Sequence, residues 1–319
     1  MSLNQQVIVT GATGFIGSQF VEYLLKNKVD VLALGRRKFS DLPNHVRLKI
    51  GSATYINIDM NSIKTLDKEL SRVGWKLGDD CIFFNLAWGG LRTLSDLDVN
   101  SQFKNVYYSV NALEVAKKIG CKLFIQVGTM EEAFTNKYLE LDFRVNSEFN
   151  RHLIYSAAKI TAKNALKLKA TQFGIDLIYV LHSHVIGAYD NKDSFLQVTL
   201  QKLINGDDLV FSSGAQLFDV ISNKDCAHGY YLICKSGVPG SDYWVGSGNP
   251  RTLREYVERM AKLVPPKKSL KFGELPFNDI ILKRCDFSIE NLVEHTGYFP
   301  SMTYEQTVLE LLEFLRNKS

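Results

Sequence analysis

At 319 residues, 45% apolar and 23% charged, the chain has the composition of a soluble globular protein longer than one typical domain. A formal charge of +4 without a dense Lys/Arg block argues against a nucleic-acid partner, and no apolar run reaches the ~20 residues of a membrane span. Five scattered cysteines (Cys81, Cys121, Cys226, Cys234, Cys285) without a C-x-x-C pair read as free thiols, and six histidines lack metal-ligand spacing, so no metal is expected.

The chain opens almost at once on a strand, Val7 to Thr10, which leaves no room for a signal peptide and makes the cytoplasm the expected location. Further strands are expected at Asp30 to Leu34, Leu48 to Gly51, Cys81 to Leu86, Leu123 to Val127 and Asp176 to Leu181. Amphipathic segments such as Ser18 to Asn27, Gln102 to Ile119 and Ile154 to Phe173 lie between them. This alternation predicts an α/β fold of the Rossmann type: a doubly wound parallel sheet with right-handed crossovers and helices on both faces. After about residue 185 the rhythm loosens into loops such as GAYDNKD, NGDD and SSGAQ. The expected division is a dinucleotide-binding domain over 1–184 and a smaller substrate-binding subdomain over 185–319, some segments of which return to the sheet.

The first strand runs into Gly11-x-x-Gly14-x-x-Gly17 and then a helix. One glycine makes the tight turn, one admits a pyrophosphate to the backbone, and one lets the helix pack close to the sheet. The helix N-terminus then offers unpaired N–H groups to the anion. The expected phosphate contacts are Gly11, Thr13, Gly14, Phe15, Ile16 and Gly17. The second strand ends in Gly35-Arg36-Arg37, where an acid would bind the ribose hydroxyls of NAD. Two guanidiniums suit a 2′-phosphate, so NADP is expected rather than NAD; the plain alternative is a solvated basic loop.

Tyr155 and Lys159 stand four positions apart in YSAAK, which puts them on one face of a helix, with small residues between that let a cofactor lie close. A neighbouring ammonium and the nicotinamide's positive charge are expected to favour phenolate, bringing the phenol's pKa down from about 10 toward a catalytically useful value. Upstream, QVGTMEEAF places Thr129, Met130, Glu131 and Glu132 at the end of a strand.

These motifs together resemble the extended short-chain dehydrogenase/reductase family, whose members mostly act on nucleotide-activated sugars. The resemblance covers nearly the whole chain. It implies Tyr155, Lys159 and Thr129 as catalytic residues, with Lys159 also holding the nicotinamide ribose. It implies Asp59 and Met60 at the adenine, and further cofactor contacts at Leu86, Ala87, Trp88, Asn105, Val127 and His182. In relatives that dehydrate sugars, the threonine is followed by an acid that protonates the departing hydroxyl and a Glu that takes a proton. Met130 stands in the acid's place, and a thioether has no proton to give. Glu131 then either touches the substrate or, with Glu132, is a solvated strand-end acid.

On the substrate side the resemblance implies Gly89, Met130, Glu131, His184, Gln216 and Asp219. LHSHVIGAYD puts Leu181 where relatives carry an arginine, and His184 there looks most like the 4-ketoreductases that finish CDP-dideoxyhexoses. SGAQLFDVISNKDCAHG puts Phe218 where relatives carry the arginine that grips the diphosphate. The expected function is NADPH-dependent reduction of the 4-keto group of a 4-keto-6-deoxy nucleotide sugar. The alternatives are a nucleotide-sugar 4-epimerase with bound NAD(P) and a non-catalytic NADP-binding regulatory protein. A homodimer through the helices Gln102 to Ile119 and Ile154 to Phe173 is the pairing that relatives suggest.

Overall fold

The computed structural model describes residues 5–90, 98–140, 152–190, 193–277 and 280–317. Seven parallel strands form the central sheet: β1 (Gln6–Thr10), β2 (Asp30–Gly35), β3 (Thr54–Asn57), β4 (Ile82–Asn85), β5 (Leu123–Val127), β6 (Asp176–His182) and, after four short strands, β11 (Asp242–Val245). Their spatial order is β11-β6-β5-β4-β1-β2-β3. The switch in winding lies between β1 and β4, the place where a doubly wound sheet opens a crevice at its carboxyl ends.

Helices α1 (Phe15–Lys26), α2 (Asn44–Ile50), α3 (Leu66–Val73), α4 (Val99–Ile119), α5 (Glu131–Leu139) and α6 (Leu153–Phe173) connect the strands. One face of the sheet packs Phe20, Leu24, Phe84 and Tyr230 together; the other packs Phe83, Phe124, Leu113 and Leu166. Both faces being covered explains why β1 and β4 read as continuous apolar runs.

The remaining elements are β7 (His184–Ile186), α7 (Phe195–Asn205), β8 (Val210–Phe211), β9 (Leu217–Phe218), β10 (Val220–Ser222), α8 (Asn223–Ser236), β12 (Arg251–Thr252), α9 (Leu253–Leu263), β13 (Lys271–Phe272), α10 (Glu290–Thr296) and α11 (Tyr304–Arg316). A separate apolar cluster, with Leu196, Leu200, Tyr256, Val308 and Leu311, sits among α7, α9 and α11. Residues 191 and 192 of the GAYDNKD loop fall outside the described residues.

The expectation of a strand at Leu48 to Gly51 is corrected: these residues end helix α2. Val46 and Ile50, four apart, are its buried pair, while Leu48 between them is exposed. The third strand instead starts at Thr54. Helix α1 also begins earlier than expected, at Phe15, directly after Gly14.

Candidate active site

The glycine loop has the close approaches that its spacing predicts. Gly11 takes φ +65°, a left-handed conformation that side chains disfavour. A Cβ on Gly17 would stand 2.2 Å from the Gly11 carbonyl oxygen, so no larger residue fits. An open cleft of about 660 Å³ runs along the carboxyl ends of β1, β2 and β4. Gly11, Thr13, Gly14, Arg36, Arg37, Asp59, Met60, Leu86, Ala87, Trp88, Gly89 and Asn105 line it, bringing twelve sequence-predicted positions into one place.

Arg36 and Arg37 are exposed at the rim, and no carboxylate pairs with either among the described residues. Gly35 has no room for a side chain, since its Cβ would meet the Tyr55 hydroxyl at 2.5 Å and the Thr13 Cγ2 at 2.8 Å. β2 thus ends without an acid. Asn105 acts one step back: it accepts from the Gly89 N–H (2.9 Å) and donates to the Gly89 carbonyl (3.0 Å), bracing the loop after β4.

Tyr155 and Lys159 lie on α6, both buried. The Lys159 ammonium donates to the Val127 carbonyl at 2.9 Å and sits 4.1 Å from the centroid of the Trp88 ring. Trp88 thus links the cleft to the dyad, its ring edge-on to Tyr155 at 6.2 Å. The Val127 carbonyl is consequently occupied by the lysine. A polar chain crosses beneath the site from strand to strand. Thr10 Oγ1 donates to Asn85 Oδ1 (2.5 Å), Asn85 Nδ2 to Gln126 Oε1 (2.7 Å), and Gln126 Nε2 to the same Val127 carbonyl (3.1 Å).

Before a nicotinamide adds its positive charge, the protein's own charges and burial set the phenol. Burial pushes the Tyr155 phenol well above its ordinary value; the Thr129 hydroxyl opposes this and the Glu131 and Glu132 carboxylates add to it. The lysine does not bring the phenol down, because its own charge is poorly solvated: burial lowers Lys159 to about 7, with Glu132 acting in the other direction. Tyr155 is therefore a neutral phenol with a proton to give.

Glu131 and Glu132 are not solvated acids; they are 8% and 2% exposed. Glu132 Oε1 accepts from the Thr129 N–H (2.9 Å) and from the Tyr179 hydroxyl (2.8 Å). Glu131 Oε2 pairs with His152 Nδ1 at 2.5 Å. Met130 is 4% exposed in an apolar cluster with Phe134, Tyr138, Trp244 and Phe287, so it is packing rather than a polar contact.

Asp219 is fully buried: its carboxylate accepts from the hydroxyls of Ser183 and Ser247 and from the Ser247 N–H (2.9 Å), bracing the segments after β6, β9 and β11. His184 Nε2 and Gln216 Oε1, by contrast, are buried without a hydrogen-bond partner among the described residues. Burial lowers both His182 and His184 to about 4, so both imidazoles are neutral near pH 7. His182 uses Nδ1 on the Ser183 carbonyl at 2.8 Å. The His184 ring rests against Phe218, centroids 5.5 Å apart.

Sequence reasoning missed the roles of Glu132, Tyr179, His152 and the Thr10–Asn85–Gln126 chain. The available signal was polar residues inside otherwise apolar strands: Asn85 ends IFFN and Gln126 interrupts LFIQV.

A glycine-lined dinucleotide cleft opening onto a buried Tyr–Lys–Thr cluster defines a nicotinamide-dependent enzyme of the extended short-chain dehydrogenase/reductase type. The chain belongs to the NAD dependent epimerase/dehydratase family, whose profile matches residues 7–246. It is 24% identical to a CDP-abequose synthase of Salmonella typhimurium over 98% of this chain and 99% of that one. It is 21% identical to a dTDP-glucose 4,6-dehydratase of Haemophilus influenzae over 98% of each. Among solved structures, a UDP-glucose 4-epimerase from Thermotoga maritima superposes with a TM-score of 0.77 at 18% identity, covering 98% of this chain and 99% of that one, a likeness of fold. The relatives named are nucleotide-sugar enzymes. Among the described residues no helix is long and apolar enough to cross a membrane, and no His/Cys/Asp/Glu group could hold a metal ion.

Proposed function

We propose that this enzyme reduces the 4-keto group of a 4-keto-6-deoxy nucleotide sugar with NADPH. The observation that carries the reading is a protonated, buried Tyr155 beside Thr129, with a packed methionine where dehydration needs a proton-donating acid. The near full-length likeness to a CDP-abequose synthase supports it.

The cradle fits the cofactor. Gly11 and Gly17 leave the backbone bare for a pyrophosphate, and Arg36 and Arg37 are unpaired cations where a 2′-phosphate would sit. When bound, NADPH supplies a hydride to the sugar carbonyl carbon. Tyr155 gives its proton to the carbonyl oxygen while Thr129 hydrogen-bonds that same oxygen, and Lys159 holds the ribose. His184 Nε2 and Gln216 Oε1, unpartnered among the described residues, meet sugar or nucleotide polar groups. Pairing of two copies along α4 and α6 is consistent with the exposed Tyr107 and Leu168 on those helices.

The test follows the absorbance of the reduced nicotinamide. Stoichiometric NADPH oxidation is expected with a 4-keto-6-deoxy nucleotide sugar and none with its 6-hydroxylated parent. Tyr155→Phe should lower turnover by a factor of ~10²–10⁴ while still binding cofactor. Isomerisation without net oxidation would establish the 4-epimerase reading instead.

A further inference from the structure

Glu132 is a buried carboxylate that the proposed reaction does not use. It lies in the first turn of α5, and both of its hydrogen bonds run through Oε1: one from the Thr129 N–H and one from the Tyr179 hydroxyl. The backbone has made room for it. A Cβ on Gly128 would stand 2.3 Å from Glu132 Oε1 and 2.6 Å from the Tyr179 ring, so only glycine lets the carboxylate reach under the end of β5. There the Tyr179 hydroxyl reaches both the carboxylate and the Lys159 backbone carbonyl (3.4 Å), and the Lys159 ammonium is tied to the Val127 carbonyl one residue away from that glycine; burial pushes the Glu132 carboxyl up, and the Lys159 charge acts against this.

We infer that Glu132 is a positioning residue whose carboxylate balances the Lys159 ammonium beneath Tyr155, so that the phenol keeps its proton and the site is set to give a proton rather than take one. In this family of sites an ammonium alone would favour phenolate, the base form that oxidises a sugar hydroxyl. Here burial raises the phenol first, and the Glu132 charge adds to it by offsetting part of the ammonium's field. The direction in which the site works best is thereby set by a residue that touches neither cofactor nor sugar.

Other charges surround the pair. Glu131, on the same helix and hydrogen-bonded to His152, acts on Tyr155 in the same direction as Glu132 but is not placed against Lys159. Lys163, one turn along α6, is paired with Asp242 on β11 at 2.9 Å, which leaves its effect on Glu132 weaker than that of Lys159. His182 is neutral near pH 7. Tyr179, with its hydroxyl on Glu132, holds the carboxylate in place.

Glu132→Gln tests the inference, because an amide Oε1 keeps both hydrogen bonds and removes only the charge. The reductase reading enters only through direction, so the first readout needs no sugar. Ionisation of Tyr155 is followed by near-ultraviolet tyrosinate absorbance, as the difference between each protein and its Tyr155→Phe counterpart. Removing a nearby negative charge eases phenolate formation, so in the Gln variant the Tyr155 signal should rise about one pH unit lower. The second readout is the pH profile of NADPH-dependent reduction, whose alkaline limb should move the same way. Oxidation of the corresponding 4-hydroxy sugar should set in at lower pH. Glu132→Asp, which retains the charge, should stay near the parent profile. Superimposable Tyr155 titrations in the parent and Gln proteins would overturn the inference, since Glu132 would then be neutral or merely structural. A shifted titration in a protein that reduces no keto sugar would uphold the counter-charge and remove the reductase reading alone.

Discussion

Replacing Asn85 with leucine should destabilise the enzyme far more than the size of the change implies. Asn85 is fully buried and sits midway along the polar chain under the site, accepting from Thr10 Oγ1 at 2.5 Å and donating to Gln126 Oε1 at 2.7 Å. Leucine fills a similar volume, so the cavity contribution is small. Two buried groups, however, lose their partner: the Thr10 hydroxyl proton and the Gln126 carbonyl oxygen. Each stranded polar group costs about 1–3 kcal/mol, which places the loss at roughly 2–6 kcal/mol. Urea denaturation followed by circular dichroism measures it directly. The double variant Asn85→Leu/Gln126→Leu should cost less than the sum of its parts, because one of the stranded groups is then absent. The Thr10 hydroxyl also accepts from the Ala87 N–H at 3.1 Å, so cofactor affinity should fall along with stability. A loss under about 1 kcal/mol would refute the reasoning, since the three side chains would then not form a mutually satisfied buried unit.

Met130→Asp should not create a dehydratase. It buries an unpaired acid among Phe134, Tyr138 and Trp244, at a cost on the order of 3–5 kcal/mol, and should show as a lower Tm with no 4-keto-6-deoxy product from the hydroxylated sugar. Arg36→Ala should weaken NADPH binding by roughly tenfold or more and leave NADH nearly unchanged, as read by intrinsic fluorescence titration. Acid should unfold the protein partly through its histidines. His182 and His184 stay neutral down to about 4 when folded but accept a proton near 6.5 when unfolded. Their contribution is intact above about 6.5 and is lost as pH falls toward 4, at up to about 3 kcal/mol each. Replacing both with Gln should flatten the stability profile across that window.

The glycine loop, the two arginines and the Tyr–Lys helix were legible because each depends on short-range geometry: a φ that only glycine adopts cheaply, a strand tip, a spacing of one helical turn. The helix at Asn44–Ile50 was misread because Leu48 and Ile50 look like strand residues, and the pairing of Val46 with Ile50 shows only once the α1 surface against them is known. Local polarity also misled where Glu131 and Glu132 read as solvated, and the burial of Asp219 was equally unannounced. An acid after a strand reads as solvated, and nothing nearby in the sequence announces Tyr179, His152 or Ser247, which arrive from distant segments to satisfy these carboxylates. Burial of a charge is a property of the assembled fold.

The seventh strand has a bearing on how the chain is made. β6 pairs on one side with β5 and on the other with β11, Tyr179 opposite Asp242 and His182 opposite Val245. During synthesis the ribosome must complete everything from β7 through α8 before that second partner emerges. For several seconds β6 therefore carries a bare row of amide and carbonyl groups on an apolar strand, the arrangement that recruits other nascent chains. The dinucleotide-binding half is accordingly expected to fold fully only with β11 in place. A truncation ending before Asp242 should precipitate even though the whole glycine loop and every catalytic side chain are present, and a chaperone that shields that edge should raise the yield of the full-length protein.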